Sequence, residues 1–238
     1  MSARFSGKVV VVAGGTGGLG RAVSLAFLEE DARVIVTYRH QEEFAALAAK
    51  AGTNNLLEGH SVDVTDEFSV RQFTDRVMAK YDCLDAMVNT VGAYAGGVKL
   101  WDLDTKVFDQ MIALNLRSGL LLSRAVIPAM LRIRRGVIVN VASQAALEYA
   151  AGNAVYAASK AGALAMMGSL AQELKGTGVR VNSILPSVID TEANRKAMPD
   201  ADFGKWPKPQ EIARVILFLC SDDAKVVHGA ALPVYGNS

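Results

Sequence analysis

The chain has 238 residues, of which 51% are hydrophobic and 21% charged, with 25 basic residues against 24 acidic ones. This size and composition predict one globular domain over residues 1–238, and the balanced charge argues against a nucleic-acid-binding surface. The two cysteines lack the neighbours of a metal site and no apolar run reaches the ~18 residues of a membrane span, so we expect a cytoplasmic protein that acts on a small molecule, without a metal or a membrane.

Short β-branched apolar runs alternate with longer helical patterns along the chain. Strands are predicted at 8–13, 32–38, 56–62, 84–89, 136–143, 179–186 and 230–235. Helices are predicted at 18–30, 41–51, 66–80, 104–132, 153–176 and 208–221. Strands that are apolar throughout are typical of parallel sheets covered on both faces. The pattern therefore predicts an α/β fold, a Rossmann-type doubly wound parallel sheet of about seven strands flanked by helices.

The first predicted strand ends in the glycine-rich segment AGGTGGLG. Gly14, Gly18 and Gly20 have the spacing that allows a tight turn and a close approach of backbone N–H groups to a pyrophosphate. Because the segment follows a strand and opens a helix, it predicts a dinucleotide site, in which we include Thr16 and Leu19 of the same loop.

The end of the second predicted strand bears on the choice of dinucleotide. NAD sites usually place an acidic residue there to bind the ribose hydroxyls, and this chain has Tyr38 instead. The next residue is Arg39, whose planar guanidinium suits a 2′-phosphate. We therefore favour NADP(H) over NAD(H). The alternative for Arg39 is an ordinary solvated residue.

The segment AVYAASKAGAL places Tyr156 and Lys160 four positions apart, on one face of a helix. Taken alone, such a pair is common, with the tyrosine in the core and the lysine in solvent. The surrounding motifs must decide whether this pair has a function.

Together, the glycine loop, the strand pattern and YAASK resemble the short-chain dehydrogenase/reductase family over essentially the whole chain. The resemblance implies hydride transfer between a nicotinamide cofactor and a carbonyl or alcohol substrate. It implies four catalytic residues, which are Asn115, Ser143, Tyr156 and Lys160. It also implies cofactor contacts from Tyr156 and Lys160 and from Asp63, Val64, Asn89, Gly92, Pro186, Val188 and Thr191.

Tyr156 is expected to be the general acid and base, because a reduction needs a proton as well as a hydride. A free tyrosine has a pKa of ~10, and a neighbouring ammonium and a positive nicotinamide would lower it. We assign the ammonium to Lys160. In the resemblance, Lys160 also binds the nicotinamide ribose, Ser143 orients the substrate oxygen, and Asn115 holds a water.

A narrower likeness concerns residues 91–99 and 190–206, which are similar to loops of dihydropteridine reductase. It implies substrate contacts from Tyr94, Phe203 and Trp206, with residues 187–210 as a loop that forms a lid over the substrate. Ser143 and Tyr38 depart from that enzyme's pattern. Reduction of a quinonoid pterin is therefore an alternative to an unassigned ketone or alcohol. A non-catalytic nucleotide-binding regulator is the alternative from another class of protein.

The helical patterns at 104–132 and 153–176 are apolar over more of their surface than one sheet can cover. In the family these helices pair subunits. We therefore expect a homodimer or a homotetramer.

Overall fold

Valine- and isoleucine-rich segments form the strands of one parallel sheet in the computed structural model, which describes residues 3–52 and 55–237. The strands are β1 (Val9–Ala13), β2 (Arg33–Tyr38), β3 (Leu57–Ser61), β4 (Ala86–Asn89), β5 (Gly136–Val141), β6 (Val179–Pro186) and β7 (Ala231–Val234). They lie in the order β3-β2-β1-β4-β5-β6-β7, and neighbouring strands are parallel. The predicted Rossmann-type fold and its seven strands are confirmed.

The helices follow the predicted segments closely. They are α1 (Gly18–Glu29), α2 (Gln41–Ala51), α3 (Glu67–Tyr81), α4 (Thr105–Ile112), α5 (Ser118–Arg132), α6 (Ala154–Glu173), α7 (Glu192–Ala197) and α8 (Pro209–Cys220). Two features differ from the prediction. A π-helical turn, Ala113–Arg117, separates α4 from α5, and α7 lies within the segment that we expected to be a loop.

Alternate residues of each strand enter opposite cores, because successive side chains of a strand point to opposite faces. Val10 and Val12 pack with α1 and α8 on one face of the sheet, whereas Val9 and Val11 pack with α3 and α5 on the other. The continuous apolar character of β1 therefore reflects burial on both faces, as the sequence pattern indicated.

One helical run in the described residues, Thr105–Arg132, is long and apolar enough to cross a membrane by length and composition. It has 28 residues and includes α4, the π-helical turn and α5. Leu122, Val126 and Met130 of this run are buried in the core beneath the sheet. This packing accounts for its apolar character as that of a core helix.

The order of the strands reverses at β1, because β2 lies on one side of it and β4 on the other. Connections at such a point diverge and leave a crevice at the carboxyl ends of the strands. The segments that follow β1, β4, β5 and β6 meet at this crevice, and they carry most of the residues singled out in the sequence.

Candidate active site

The glycine loop after β1 is shaped by close backbone packing. Gly14 has φ of +71°, in the left-handed region that glycine adopts readily. A Cβ atom on Gly20 would overlap the carbonyl oxygen of Gly14, and one on Gly18 would lie 2.9 Å from Cγ2 of Thr191. The N-cap residue of α1 is Gly17, which has no side chain to cap the first N–H groups of the helix. These residues fit a dinucleotide pyrophosphate.

We expect the adenosine end of this site beside the end of β2. Thr37 accepts a hydrogen bond from the Gly14 N–H through its side chain (3.0 Å) and one from the Gly15 N–H through its carbonyl (3.2 Å), which holds the loop against β2. Thr16 is buried, and its hydroxyl donates to the Glu43 carboxylate at 2.8 Å. These contacts join the glycine loop to the β2–α2 junction.

Asp63 and Arg39 face the same end of the site. Asp63 accepts hydrogen bonds from the N–H and the hydroxyl of Thr65, and these bonds lower its pKa, with a smaller contribution from the Arg39 charge. Tyr38 packs its ring on Phe44 of α2, with 5.0 Å between centroids, and its hydroxyl donates to Gln41. Arg39 is therefore the exposed cation at this position, while Tyr38 is turned onto α2.

Tyr156 and Lys160 both project from the first turns of α6 into the crevice. Ser143 follows β5, and its side chain lies close enough to the Tyr156 hydroxyl to influence the pKa of that group. Lys160 is buried, with 5% of its surface exposed, and its Nζ donates to the Val141 carbonyl oxygen at 3.1 Å. Burial lowers the pKa of Lys160 to about 8.

The direction of the Tyr156 pKa differs from the one that we expected. Burial raises it, the Ser143 hydrogen bond opposes the rise, and the Tyr94 hydroxyl adds to it. The ammonium of Lys160 donates to Val141 and is not among the causes of this shift. The pKa of Tyr156 is therefore raised in this structure, opposite to the direction that we predicted. A protonated Tyr156 at neutral pH is the form that can donate a proton.

Asn115 reaches the site because the π-helical turn interrupts the long helix around it. Its side chain accepts from the Ala93 N–H at 2.9 Å and donates to the Ala93 carbonyl and to the Ser159 hydroxyl, both at 3.0 Å. A Cβ atom on Gly92 would lie 2.9 Å from Oδ1 of Asn115 and 3.0 Å from Nζ of Lys160. Gly92 therefore leaves the space in which these two side chains approach each other.

A cavity of about 610 Å³ opens over Ser143, Tyr156 and Lys160. Tyr94 forms part of its wall, with its ring edge-on to that of Tyr156 at 5.0 Å and its hydroxyl donating to Asn153 at 2.9 Å. Leu19, Gly92, Pro186 and Val188, which we assigned to the cofactor, line the same cavity. The cavity thus joins Leu19 of the glycine loop to three of the four predicted catalytic positions, whereas Asn115 lies outside its lining.

A model of the short chain dehydrogenase family matches residues 8–202. The chain belongs to the short-chain dehydrogenase family. This dehydrogenase is 33% identical to the 3-oxoacyl-[acyl-carrier-protein] reductase FabG of Thermotoga maritima, with 98% of each chain covered. It is 36% identical to the D-threitol dehydrogenase of Mycolicibacterium smegmatis, over 98% of this chain and 93% of that protein.

Solved structures agree with the fold. The dehydrogenase superposes on levodione reductase with a TM-score of 0.91 at 26% identity, covering 98% of each chain. It superposes on ElxO with NADP bound with a TM-score of 0.89 at 25% identity, covering 96% of this chain and 97% of that one. The expected family is confirmed, and the protein is an enzyme, an NAD(P)-dependent oxidoreductase.

Two residues of the short-chain dehydrogenase that we assigned to the substrate lie elsewhere. Phe203 and Trp206 do not line the cavity. Trp206 is buried and packs on Phe203 with 5.0 Å between ring centroids. The Arg195 guanidinium lies over the Phe203 ring, 4.8 Å from its centroid. Their assignment to the substrate is corrected to a packing role at the base of residues 187–210.

Asn89 also differs from its assignment to the cofactor. It is buried, and its side chain donates to the Asn140 side chain at 3.0 Å and accepts from the Val91 N–H at 3.2 Å. These bonds tie β4 to β5, so its contacts are structural. The next residue, Thr90, was not singled out from the sequence. Its hydroxyl donates to the Ala13 carbonyl at 2.7 Å and thereby holds the glycine turn in place.

Residues 187–210 are more ordered than a loop. Thr191 caps α7 by accepting from the Asn194 N–H at 3.2 Å, and Asn194 and Met198 line the cavity. The signal for this helix was present in the sequence TEANRKA, where an N-cap threonine is followed by an acidic residue in the first turn. Gln144, Glu148 and Tyr149 also line the cavity and had no motif that indicated it.

Proposed function

We propose that this dehydrogenase reduces a small carbonyl compound, or oxidises the corresponding alcohol, with Tyr156 as the general acid and base and with NADP(H) as the favoured cofactor. The observation that carries the proposal is the convergence of Ser143, Tyr156 and Lys160 in one cavity that is continuous with the glycine loop. A set of this kind beside a dinucleotide loop supports proton transfer by Tyr156 next to a bound nicotinamide.

Each side chain has a separate role in the proposed reaction. A bound nicotinamide supplies or accepts the hydride. Tyr156, protonated at neutral pH, donates its proton to the substrate oxygen, while Ser143 orients that oxygen by donating its one hydroxyl hydrogen to it. Lys160 places a positive charge beneath the site and holds the cofactor ribose. Asn115 anchors the Ala93 backbone and links it to Ser159 of α6.

The preference for NADP(H) is supported by Arg39 and by the structural relative with NADP bound. Arg39 is exposed at the adenosine end, and Tyr38 replaces the acid that would repel a 2′-phosphate. Gly14, Gly18 and Gly20 hold the pyrophosphate, and Thr191 closes on it from α7.

The substrate cavity favours a small molecule with hydrogen-bonding groups. Its wall combines the aromatic rings of Tyr94 and Tyr149 with the polar groups of Gln144, Glu148 and Asn153. The relatives reported above are named for an acyl carbonyl and for a polyol, and neither name favours a pterin. We therefore propose a ketone or alcohol substrate, with residues 187–210 as the lid that covers it.

The assembly is proposed to be a homodimer or a homotetramer. An apolar groove of about 550 Å³ runs between α5 and α6, and it is lined by Leu120, Ile127, Pro128, Met166 and Leu170 among others. The second copy of the chain would cover this groove. The cytoplasmic location and the single catalytic domain over 1–238 stay predictions from the sequence.

Replacing Tyr156 by phenylalanine tests the proposed chemistry. Tyr156→Phe is expected to bind NADPH as tightly as the wild type and to lose turnover by about 100-fold or more, because the proton donor is gone. Turnover is measured spectrophotometrically with a panel of ketones and with quinonoid dihydropterin. Tyr81→Phe, on α3 away from the cavity, is the matched control. Equal turnover in Tyr156→Phe and in the control would remove Tyr156 from the chemistry.

A further inference from the structure

The adenosine end of the cofactor site contains an acidic group that the sequence motifs did not indicate. Glu43 lies in the first turn of α2, and its carboxylate accepts the hydrogen bond from the buried Thr16 hydroxyl at 2.8 Å. Side chains of a helix tilt toward its N-terminus, so a residue in the first turn reaches back toward the end of β2. Glu43 therefore faces the glycine loop, two residues beyond the predicted helix start at position 41.

We propose that Glu43 is a cofactor-specificity residue that opposes the 2′-phosphate of NADP(H) and makes the preference for NADP(H) over NAD(H) a narrow one. The inference rests on the proposed dinucleotide site. NAD-specific sites place a carboxylate beside the ribose hydroxyls, usually at the end of the second strand. In this chain Tyr38 occupies the end of the second strand, and the carboxylate near the glycine loop is that of Glu43 on α2.

Two charges of opposite sign then act on the same part of the cofactor. Arg39 is exposed beside Asp63 and attracts a phosphate, whereas Glu43 is fixed on Thr16 and repels it. The Thr16 hydroxyl is the only donor of this side chain, and it is committed to Glu43 in this structure. A 2′-phosphate that seeks the hydroxyl must displace the carboxylate, whereas a 2′-hydroxyl can donate to it.

The fixed position of Glu43 distinguishes it from the neighbouring acid. Glu42 occupies the same helical turn, but its carboxylate lies 3.9 Å from the His40 side chain and, among the described residues, makes no hydrogen bond to the glycine loop. The two residues thus carry the same charge on the same turn and differ in their contact with Thr16. This difference makes Glu42 a matched control.

The test compares binding of 2′,5′-ADP and 5′-AMP, which report on the adenosine end without the nicotinamide or turnover. Dissociation constants are measured by calorimetry for the wild type, Glu43→Gln, Glu42→Gln and Arg39→Ala, and are repeated with NADPH and NADH by cofactor fluorescence. Glutamine keeps an acceptor oxygen for Thr16, so Glu43→Gln removes the charge and retains the contact.

Glu43→Gln is expected to strengthen 2′,5′-ADP binding about tenfold while changing 5′-AMP binding less than about threefold, with the same trend for NADPH against NADH. Glu42→Gln is expected to leave both ratios within about twofold of the wild type. The gain in Glu43→Gln should shrink at high ionic strength. Equal shifts in the two glutamine variants, or no shift in Glu43→Gln, would overturn the proposal.

The Arg39→Ala variant distinguishes a failure of this inference from a failure of the proposed function. Arg39→Ala is expected to weaken 2′,5′-ADP about tenfold and to leave 5′-AMP nearly unchanged, which tests the preference for NADP(H) by itself. Failure of the wild type to bind any of the four nucleotides would overturn the dinucleotide site as a whole. Thermal unfolding of each variant confirms that a change in binding is not a loss of folded protein.

Discussion

Lys160 shows how a single side chain is constrained by its surroundings. Its side chain is buried at the wall of the cavity, and its ammonium donates a hydrogen bond to the Val141 carbonyl oxygen. A buried ammonium is costly unless other groups compensate it, and burial accordingly lowers its pKa to about 8 from 10.5. The chain therefore retains a destabilising charge at a position where the proposed reaction needs one.

The stability of the protein should depend on pH through this lysine. Between pH 8 and 10.5 the unfolded chain binds a proton at Lys160 that the folded chain has released, so raising the pH through this range favours folding. Relative to Lys160→Met, the wild type should gain about 2 kcal/mol of unfolding free energy from pH 7 to pH 10.

Urea unfolding of both proteins at the two pH values gives this difference, and groups that titrate equally in both proteins cancel from it. Lys50→Met, a variant of an exposed lysine on α2, supplies the baseline. A difference that stays constant with pH, or that falls as the pH rises, would contradict the assigned burial of the ammonium.

Two elements of this fold depart from regular geometry beside the candidate active site. The glycine loop packs so closely that side chains are excluded, and the π-helical turn Ala113–Arg117 turns Asn115 toward Ala93. Both departures occur at the carboxyl ends of the central strands. Local irregularity at these points shapes the crevice, while the strands themselves remain regular.

The glycine loop offers a comparison between two of its members. Gly20→Ala would place a methyl group on the carbonyl oxygen of Gly14, whereas Gly17→Ala would place one 3.5 Å from the same oxygen, at ordinary contact distance. Overpacking of this kind costs about 1–3 kcal/mol, so Gly20→Ala should lower the melting temperature by roughly 5 °C.

Calorimetric unfolding measures the effect, and Gly17→Ala should melt within about 2 °C of the wild type because Gly17 has a negative φ. The Gly20 variant should also bind NADPH more weakly than the wild type. If the two alanine variants melt at the same temperature, close packing against the Gly14 carbonyl is not the reason that position 20 requires glycine.

The whole molecule buries both faces of its sheet but leaves part of its helical layer exposed. Leu120 on α5 is 48% exposed and lies in the groove with Met166 and Leu170 of α6. Apolar residues that are clustered in this way mark protein interfaces more often than scattered ones do. The groove is the part of the described surface that best fits a second copy of the chain.

Charge placed in this groove should disrupt the assembly. Leu120→Asp is expected to sediment at a lower mass than the wild type at micromolar concentration, because the interface would have to bury an unpaired carboxylate. Leu131→Asp is the matched control, since Leu131 is a partly exposed leucine of the same helix outside the groove lining. Sedimentation velocity measures the masses. A monomeric wild type, or identical masses for both variants, would contradict the proposed interface.

The sequence by itself determined the seven strands, the glycine loop and the order of Asn115, Ser143, Tyr156 and Lys160 along the chain. These features are local, since the apolar pattern of a strand, the residues of a turn and the i, i+4 spacing on a helix all involve residues a few positions apart. The family resemblance rested on the same local motifs, and for this reason both the fold and the family were predicted correctly.

Only the tertiary structure decided which distant groups meet. Thr16 and Glu43 lie 27 positions apart, and Asn89 and Asn140 lie 51 apart, so no local pattern could reveal their hydrogen bonds. The direction of the Tyr156 pKa depends on burial contributed by several segments, and the packing of Trp206 depends on residues 187–210 as a whole. Burial and contact are sums over neighbours in space, and they are fixed only when the chain has folded.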